Sequence, residues 1–296
     1  MRDVLAGCAD LLLHHLMRIG TIDSCSAVGA WLGVTLGPRA RGRGGRARQA
    51  LARLRPELSE VERTALLRRM WANIGRTMAE FSVSARLWRS DRVAVSGLEN
   101  LTAARASGRP RIYVGVHLGN WELIGPKLIS LGEDLVQFIQ PPANRFTRRV
   151  AERARRKYQE RLLPPGPASA QRAYRALTEG GGVLVMFVDE FTRGRVQAPA
   201  FGRRLSLDGN VANAVRLALL SNAVILPVYL LRSSGARFCL KISSPIDIES
   251  TGRRTIDIER NVHKIEQIIT PIIGAHVEQW FMLHELRPEE VGPAQA

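Results

Sequence analysis

Apolar residues follow two different periods along this chain. In the first third they recur at helical spacing, and after residue 90 they gather into short β-rich runs separated by helical stretches. Leu5, Cys8, Leu12, Leu16 and Ile19 fall on one helical stripe, and a second apolar stretch runs from Ala27 to Leu36 and ends at Gly37-Pro38. Asp10, His14, His15, Arg18 and Asp23 interrupt these stretches. No run therefore reaches the roughly 18 apolar residues of a spanning helix. The pattern predicts a pair of interfacial helices followed by a basic loop, Arg39 to Arg48, suited to anionic headgroups. Pro56 and Ser59-x-x-Glu62 then announce a long helix through a capping box, with Val61, Leu67, Met70, Trp71, Ile74, Met78 and Phe81 as its packing stripe.

From residue 93 onward strands and helices alternate. Strands are expected at 93–95, 111–116, 135–139, 183–188, 224–231 and 237–243. Helices are expected at 98–106, 121–131, 145–160, 168–179, 209–221 and 256–275. That order predicts an α/β fold, a three-layer α/β/α domain with a largely parallel sheet over residues 51–296. Residues 1–50 form the membrane-associated helices and basic loop. There is no internal repeat, low-complexity tract or interdomain linker.

Chemistry concentrates in one stretch, Val114-Gly115-Val116-His117-Leu118-Gly119-Asn120-Trp121-Glu122. A β-rich run delivers a histidine, a Gly-Asn break follows, and a glutamate opens the next element. At about 100° per residue, five residues set His117 and Glu122 about 140° apart on a continuous helix, so they meet only across a turn. Glycine and asparagine tolerate the backbone conformations that such a turn needs. Histidine titrates near neutrality and can take a proton from a hydroxyl, and a carboxylate on its other ring nitrogen would fix the tautomer. In this reading His117 is the base, Glu122 orients it, and backbone N–H groups around Gly119-Asn120 stabilise the oxyanion. Asn120 thereby joins the substrate-binding residues. No serine or cysteine stands beside His117 as a nucleophile. A second strand, Val183 to Val188, runs into Asp189-Glu190, and ligand crevices in such sheets lie outside the carboxyl ends of the strands. Asp189 either contacts substrate or organises its loop by accepting backbone hydrogen bonds. Gly180-Gly181-Gly182 lacks the Gly-Lys-Ser/Thr of a phosphate loop.

Charge narrows the partners. The 43 Lys+Arg against 27 Asp+Glu give +16, almost all of it arginine. An anionic partner follows: a membrane surface, a phosphorylated substrate or an acidic carrier protein. Nucleic acid lacks any recognised fingerprint here. Cys8, Cys25 and Cys239 are too few and scattered for a disulfide framework, and no His/Cys cluster has metal-ligand spacing. Neither a metal nor a cofactor is expected, and no cleavable signal is read at the start of the chain.

The whole string His117-Leu118-Gly119-Asn120-Trp121-Glu122 after a buried strand resembles the His-x4-Glu motif of the bacterial lipid A late acyltransferase family. Leu118 replaces the aromatic residue usual there, a change read as altered packing. The resemblance implies transfer of a fatty acyl group from an acyl-carrier protein or acyl-CoA thioester to a hydroxyl of a lipid A precursor or related anionic glycolipid, on the cytoplasmic face of the cell inner membrane. It carries over an aspartate at the end of the second strand, Asp189, and an arginine near the anionic substrate, matched to Arg155 or Arg156. It also carries over a loop, Pro199-Ala200-Phe201-Gly202-Arg203, expected to line the acyl groove with Phe201 and to offer Arg203 to phosphate. The segment Gln279-Trp280-Phe281-Met282-Leu283-His284 resembles the family's closing segment, with Trp280 and His284 read as packing residues. Two alternatives remain at this stage: acylation of a glycerophospholipid precursor, whose motif carries aspartate where this chain has Glu122, and a non-catalytic lipid-binding protein.

Overall fold

The computed structural model describes residues 14–40, 42–139, 161–164, 166–179 and 182–292. The helix expected at 145–160 lies outside these residues. Residues 14–19 are helical, and α1 (Ile22–Leu36) begins at Thr21, whose side chain accepts the Ser24 N–H. The stretch expected as a basic loop is instead the start of a helix, α2 (Arg43–Leu54). Arginine and alanine are good helix formers, and the buried Ala47, Ala50 and Leu51 give the segment an apolar face to dock. Residue 50, taken above as the end of the N-terminal unit, lies inside this helix.

α3 (Glu60–Glu80) starts with the expected capping box: Ser59 accepts the Glu62 N–H, and Glu62 Oε2 accepts the Ser59 N–H at 2.8 Å. α1 lies against α3 through glycines on both sides. A Cβ on Gly33 would sit 2.1 Å from the Trp71 carbonyl oxygen, and one on Gly75 would sit 2.1 Å from that of Gly29. Gly29 and Gly33 are one helical turn apart, so bare backbone faces bare backbone. No helix among the described residues is long and apolar enough to cross a membrane.

The sheet has seven strands in the order β1-β9-β8-β2-β5-β3-β4. They are β1 (Val93–Ser96), β2 (Arg111–Gly115), β3 (Leu135–Phe138), β4 (Leu162–Leu163), β5 (Val183–Phe187), β8 (Val224–Ser234) and β9 (Arg237–Ile242). A small hairpin, β6 (Phe191–Thr192) and β7 (Arg195–Val196), stands apart. Every pairing in the large sheet is parallel except β8 with β9, which turn back on each other at Gly235, φ +51°. Helices cover both faces: α4 (Leu98–Ala106) and α5 (Ile124–Ser130) on one, and α6 (Pro167–Thr178), α7 (Asn210–Ser221) and α8 (Arg254–Ala275) on the other. Successive residues of β2 divide between the two cores, with Ile112 and Val114 in one and Tyr113 in the other. Strands buried on both faces read as continuous apolar runs, which is how β2 and β5 appear in the sequence. The helix expected at 121–131 is a 3-10 turn, Trp121–Leu123, followed by α5.

Candidate active site

β2 and β5 are neighbours in the centre of the sheet, and Gly115 pairs with Phe187. Two residues beyond that pair stand His117 and Asp189. Equal distance past a shared register puts both side chains at the same carboxyl edge. The His117 ring nitrogen Nδ1 lies 2.7 Å from Asp189 Oδ1, and the His117 backbone N–H donates to Oδ2 at 2.8 Å. Trp280 Nε1 also donates to Oδ2 at 2.8 Å. A backbone amide and an indole can only donate, so Asp189 acts here as an acceptor, and the hydrogen on His117 belongs on Nδ1. The other ring nitrogen, Nε2, is left as the basic one. Asp189 itself is fully buried.

This arrangement corrects the expected partner. The carboxylate on the Nδ1 side of the imidazole is Asp189, brought there by the pairing of adjacent parallel strands, while Glu122 lines the cavity that opens over His117. Two aromatic rings hold the imidazole from the sides: Phe187 at 4.6 Å between centroids and Trp121 at 5.0 Å, edge-on. Gly115 makes room for the first, since a Cβ there would touch the Phe187 ring at 3.1 Å.

The turn after His117 is fastened from beneath. Gly119 has φ +57°, and its N–H donates to the Gln279 carbonyl at 3.2 Å, so this amide is not free to serve an oxyanion as the sequence suggested. Thr77 Oγ1 donates to the Gly119 carbonyl at 2.9 Å, and Asn120 Nδ2 donates to Glu80 Oε2 at 2.8 Å. Asn120 is buried, 2% exposed, and its side chain points into the protein. It builds the turn and is not among the residues that line the cavity over His117. Leu118 is fully buried, and its backbone bridges to that of Trp280.

A cavity of about 660 Å³ opens over His117, Trp121 and Glu122. One stripe of α7 forms a wall: Asn210, Asn213, Leu217 and Leu220, polar at the helix start and apolar farther on. At about 1.5 Å per residue this wall runs about 15 Å. Met186, Phe187, Phe138 and Ile139 extend the apolar lining. Glu190 lines the same cavity; its Oε1 accepts the Asn210 N–H at 2.7 Å, while Oε2 is buried without a partner. Burial, aided by the charge on Asp189, pushes the Glu190 carboxyl up to about 8 despite the Asn210 hydrogen bond.

Two other expected contacts fall elsewhere. Phe201 packs on Trp280, 5.5 Å between centroids, and Arg203 donates to the carbonyls of Ala200, Pro199 and Val196. The Ala200 N–H is in turn held by Glu266 Oε2 at 2.8 Å. This loop buttresses the aspartate from behind, and neither Phe201 nor Arg203 lines the cavity. Arg155 and Arg156 lie outside the described residues. Among the described residues, the cations that line the cavity are Arg193, Arg216 and Arg254. Their positions on a hairpin tip and at two helices carried no motif in the sequence. Trp280 was visible as part of a motif, but its hydrogen bond to Asp189 was not. His284 is buried as expected, with its ring against Phe281 and Trp71.

The chain is similar to the crystal structure of the 1-acyl-sn-glycerophosphate acyltransferase from Thermotoga maritima, at 15% identity over 70% of this chain and 89% of that one, with a TM-score of 0.34. No curated protein matches it. The model of the family described as bacterial lipid A biosynthesis acyltransferase matches residues 8–286. A match over so much of the sequence means that this chain belongs to the bacterial lipid A biosynthesis acyltransferase family and is an acyltransferase.

Proposed function

We propose that this enzyme transfers a fatty acyl group from a thioester, on an acyl-carrier protein or coenzyme A, to a hydroxyl of a lipid A precursor or related anionic glycolipid. The observation that carries this reading is the His117–Asp189 pair opening at Nε2 into a cavity that grades from polar to apolar. His117 Nε2 takes the proton of the acceptor hydroxyl as its oxygen attacks the thioester carbonyl carbon. Asp189 stabilises the imidazolium that forms. The tetrahedral intermediate collapses with cleavage of the C–S bond, and the imidazolium returns the proton to the leaving thiolate. No serine or cysteine is among the described residues lining the cavity, which favours direct attack over an acyl-enzyme. The acyl chain lies along Leu217 and Leu220, and Arg193 and Arg254 receive phosphate groups of donor or acceptor. Glu122, at the cavity wall, faces substrate.

The enzyme works at a membrane surface, the cytoplasmic face of the inner membrane. Support comes from the N-terminal helices, where Trp31 is 66% exposed and Ile19 83%, and from the neighbouring α3, where Val61 is 80% exposed, among many arginines. Exposed apolar side chains beside basic residues are the pattern of a helix lying at a membrane interface.

The experiment is the mass spectrum of lipid A and other glycolipids from cells lacking the gene, complemented with wild type or His117→Ala. One species should lose an acyl mass that only wild type restores. Equal restoration by His117→Ala would remove the base from this reading. A change confined to glycerophospholipids would move the acceptor to that class. Asp189→Asn measured beside Glu122→Gln decides which carboxylate serves the imidazole, and a larger fall in kcat for Glu122→Gln would transfer that role.

A further inference from the structure

A second cavity, about 330 Å³, lies where α1, α2 and α3 meet. Its lining shares no residue with the cavity over His117. α3 contributes Thr64, Leu67, Arg68 and Trp71, one stripe at helical spacing, and the end of α1 adds Val34. α2 contributes Gly44, Gly45 and Arg48. A Cβ on Gly44 would sit 2.2 Å from the Pro38 carbonyl oxygen, whereas one on Gly45 would meet nothing within 4 Å.

The floor is apolar and the rim is cationic. Leu67 and Trp71 are buried, while Arg48 and Arg68 are exposed. Arg68 makes no hydrogen bond or ion pair among the described residues. Arg48 reaches Glu60 at 2.6 Å, with both side chains more than half exposed, and an exposed pair of this kind contributes little and exchanges readily. The cleft is also continuous with the exposed apolar surface. Trp31 lies one turn before Val34 on α1, and Val61 one turn before Thr64 on α3, each on the same helical face as its neighbour in the lining.

We propose that this cleft is a binding site for an anionic phospholipid, with the phosphodiester held between Arg48 and Arg68 and the upper part of one acyl chain against Leu67, Trp71 and Val34. It deepens the membrane-surface reading above, on which it rests, by naming a lipid class and a discrete site. Arginine forks suit phosphate oxygens, and an apolar floor beside them suits a molecule that carries both chemistries. A zwitterionic lipid brings a cation toward the same arginines and is disfavoured. The site is separate from the catalytic cavity, so its occupant is a membrane lipid that seats the enzyme and not a substrate.

The test uses the full chain and sedimentation with vesicles of phosphatidylcholine alone or mixed with phosphatidylglycerol. Phosphatidylglycerol should tighten binding about tenfold or more, in line with two basic residues at an anionic surface. Arg48→Gln with Arg68→Gln should abolish that increment and leave binding to phosphatidylcholine vesicles unchanged. Gly45→Leu is the decisive variant, because it adds apolar bulk at a lining residue without altering charge, where a Cβ meets nothing within 4 Å. It should abolish the increment equally while thermal melting is not lowered. If Gly45→Leu keeps the full preference for phosphatidylglycerol, the attraction is diffuse and the site is overturned. Wild type that binds both kinds of vesicle equally well overturns it too. Trp31→Glu tests the membrane reading separately, since it should weaken binding to both kinds of vesicle. If wild type binds neither vesicle, that reading fails, and titration with soluble dihexanoyl-phosphatidylglycerol still tests the cleft. Saturable binding there that Gly45→Leu removes supports the site. Equal competition by glycerol phosphate would make it a free-phosphate site and overturn the lipid assignment.

Discussion

Two buried carboxylates hold the same turn from opposite sides, and they behave differently. Asp189, at the strand edge, gathers the His117 ring, the His117 amide and the Trp280 indole. Glu80, beneath the turn, gathers Ser26 from α1, Asn120 from the turn and both terminal nitrogens of Arg232 from β8, at 2.6 to 3.0 Å. Both are fully buried. The difference lies in what their partners do next. The partners of Glu80 are closed within the protein, with Arg232 Nη1 also donating to the Gly235 carbonyl at 2.6 Å, so that cluster can only fix position. Of the partners of Asp189, one has a second ring nitrogen that opens into a cavity. A buried carboxylate becomes part of chemistry when one of its partners has a free, titratable end.

The sharpest way to test that contrast is Asp189→Asn. It removes the charge behind the imidazole and should lower kcat by about 10² to 10⁴, the range of general-base catalysis, with a folded protein by circular dichroism. The counterpart on the other side is Glu80→Ala, which strands the buried Arg232 charge. We expect a loss of about 3 to 5 kcal/mol in urea unfolding. A double replacement of Glu80 and Arg232 by methionine should recover part of it, because it removes the stranded charge and leaves only the neutral Asn120 amide and Ser26 hydroxyl without their carboxylate. If Glu80→Ala instead left stability unchanged and lowered kcat alone, the division between position and chemistry would fail.

Trp280→Phe tests a smaller part of the aspartate side. It deletes one hydrogen bond to a charged acceptor, about 1.5 to 3 kcal/mol, and should cost both stability and kcat without abolishing either. The effect that depends most on pH belongs to Glu190→Gln. The folded-state value of Glu190 is raised from 4.5 to about 8. Between those values the folded protein holds a proton that the unfolded chain has lost, so stability declines as pH rises through the window and levels off above it. Melting temperatures of wild type and Glu190→Gln should therefore diverge from about pH 5 to about pH 8, with the variant losing less. Parallel curves would show that Glu190 does not carry this proton.

The sequence made the layer order legible because each strand in the middle of the sheet is a short apolar run and each helix carries its own stripe. The capping box at Ser59 is local, and it formed as read. The arginine-rich stretch after Gly42 misled because charge was taken as a sign of loop, whereas Ala47, Ala50 and Leu51 supply the face on which α2 packs. In the site, His117 and Asp189 were both visible as polar residues ending apolar strands. Which carboxylate meets the imidazole was not, because strand order is a non-local choice, and only the pairing of Gly115 with Phe187 decides it. Asn120, Phe201 and Arg203 sit in or beside motifs, and a motif does not say which way a side chain points. All three turn out to hold the backbone that carries the site.

By itself, then, the sequence determined the alternation of strands and helices, the strand ends where chemistry could stand, and the histidine fit to act as a base. Those features are written in local periodicity and in side-chain type. Tertiary structure decided that Asp189 serves His117, that Glu80 and Arg232 brace the turn, and that one stripe of α7 walls the cavity. Each of these depends on residues far apart in the chain being brought together by the order of strands and the packing of helices, which no local pattern records.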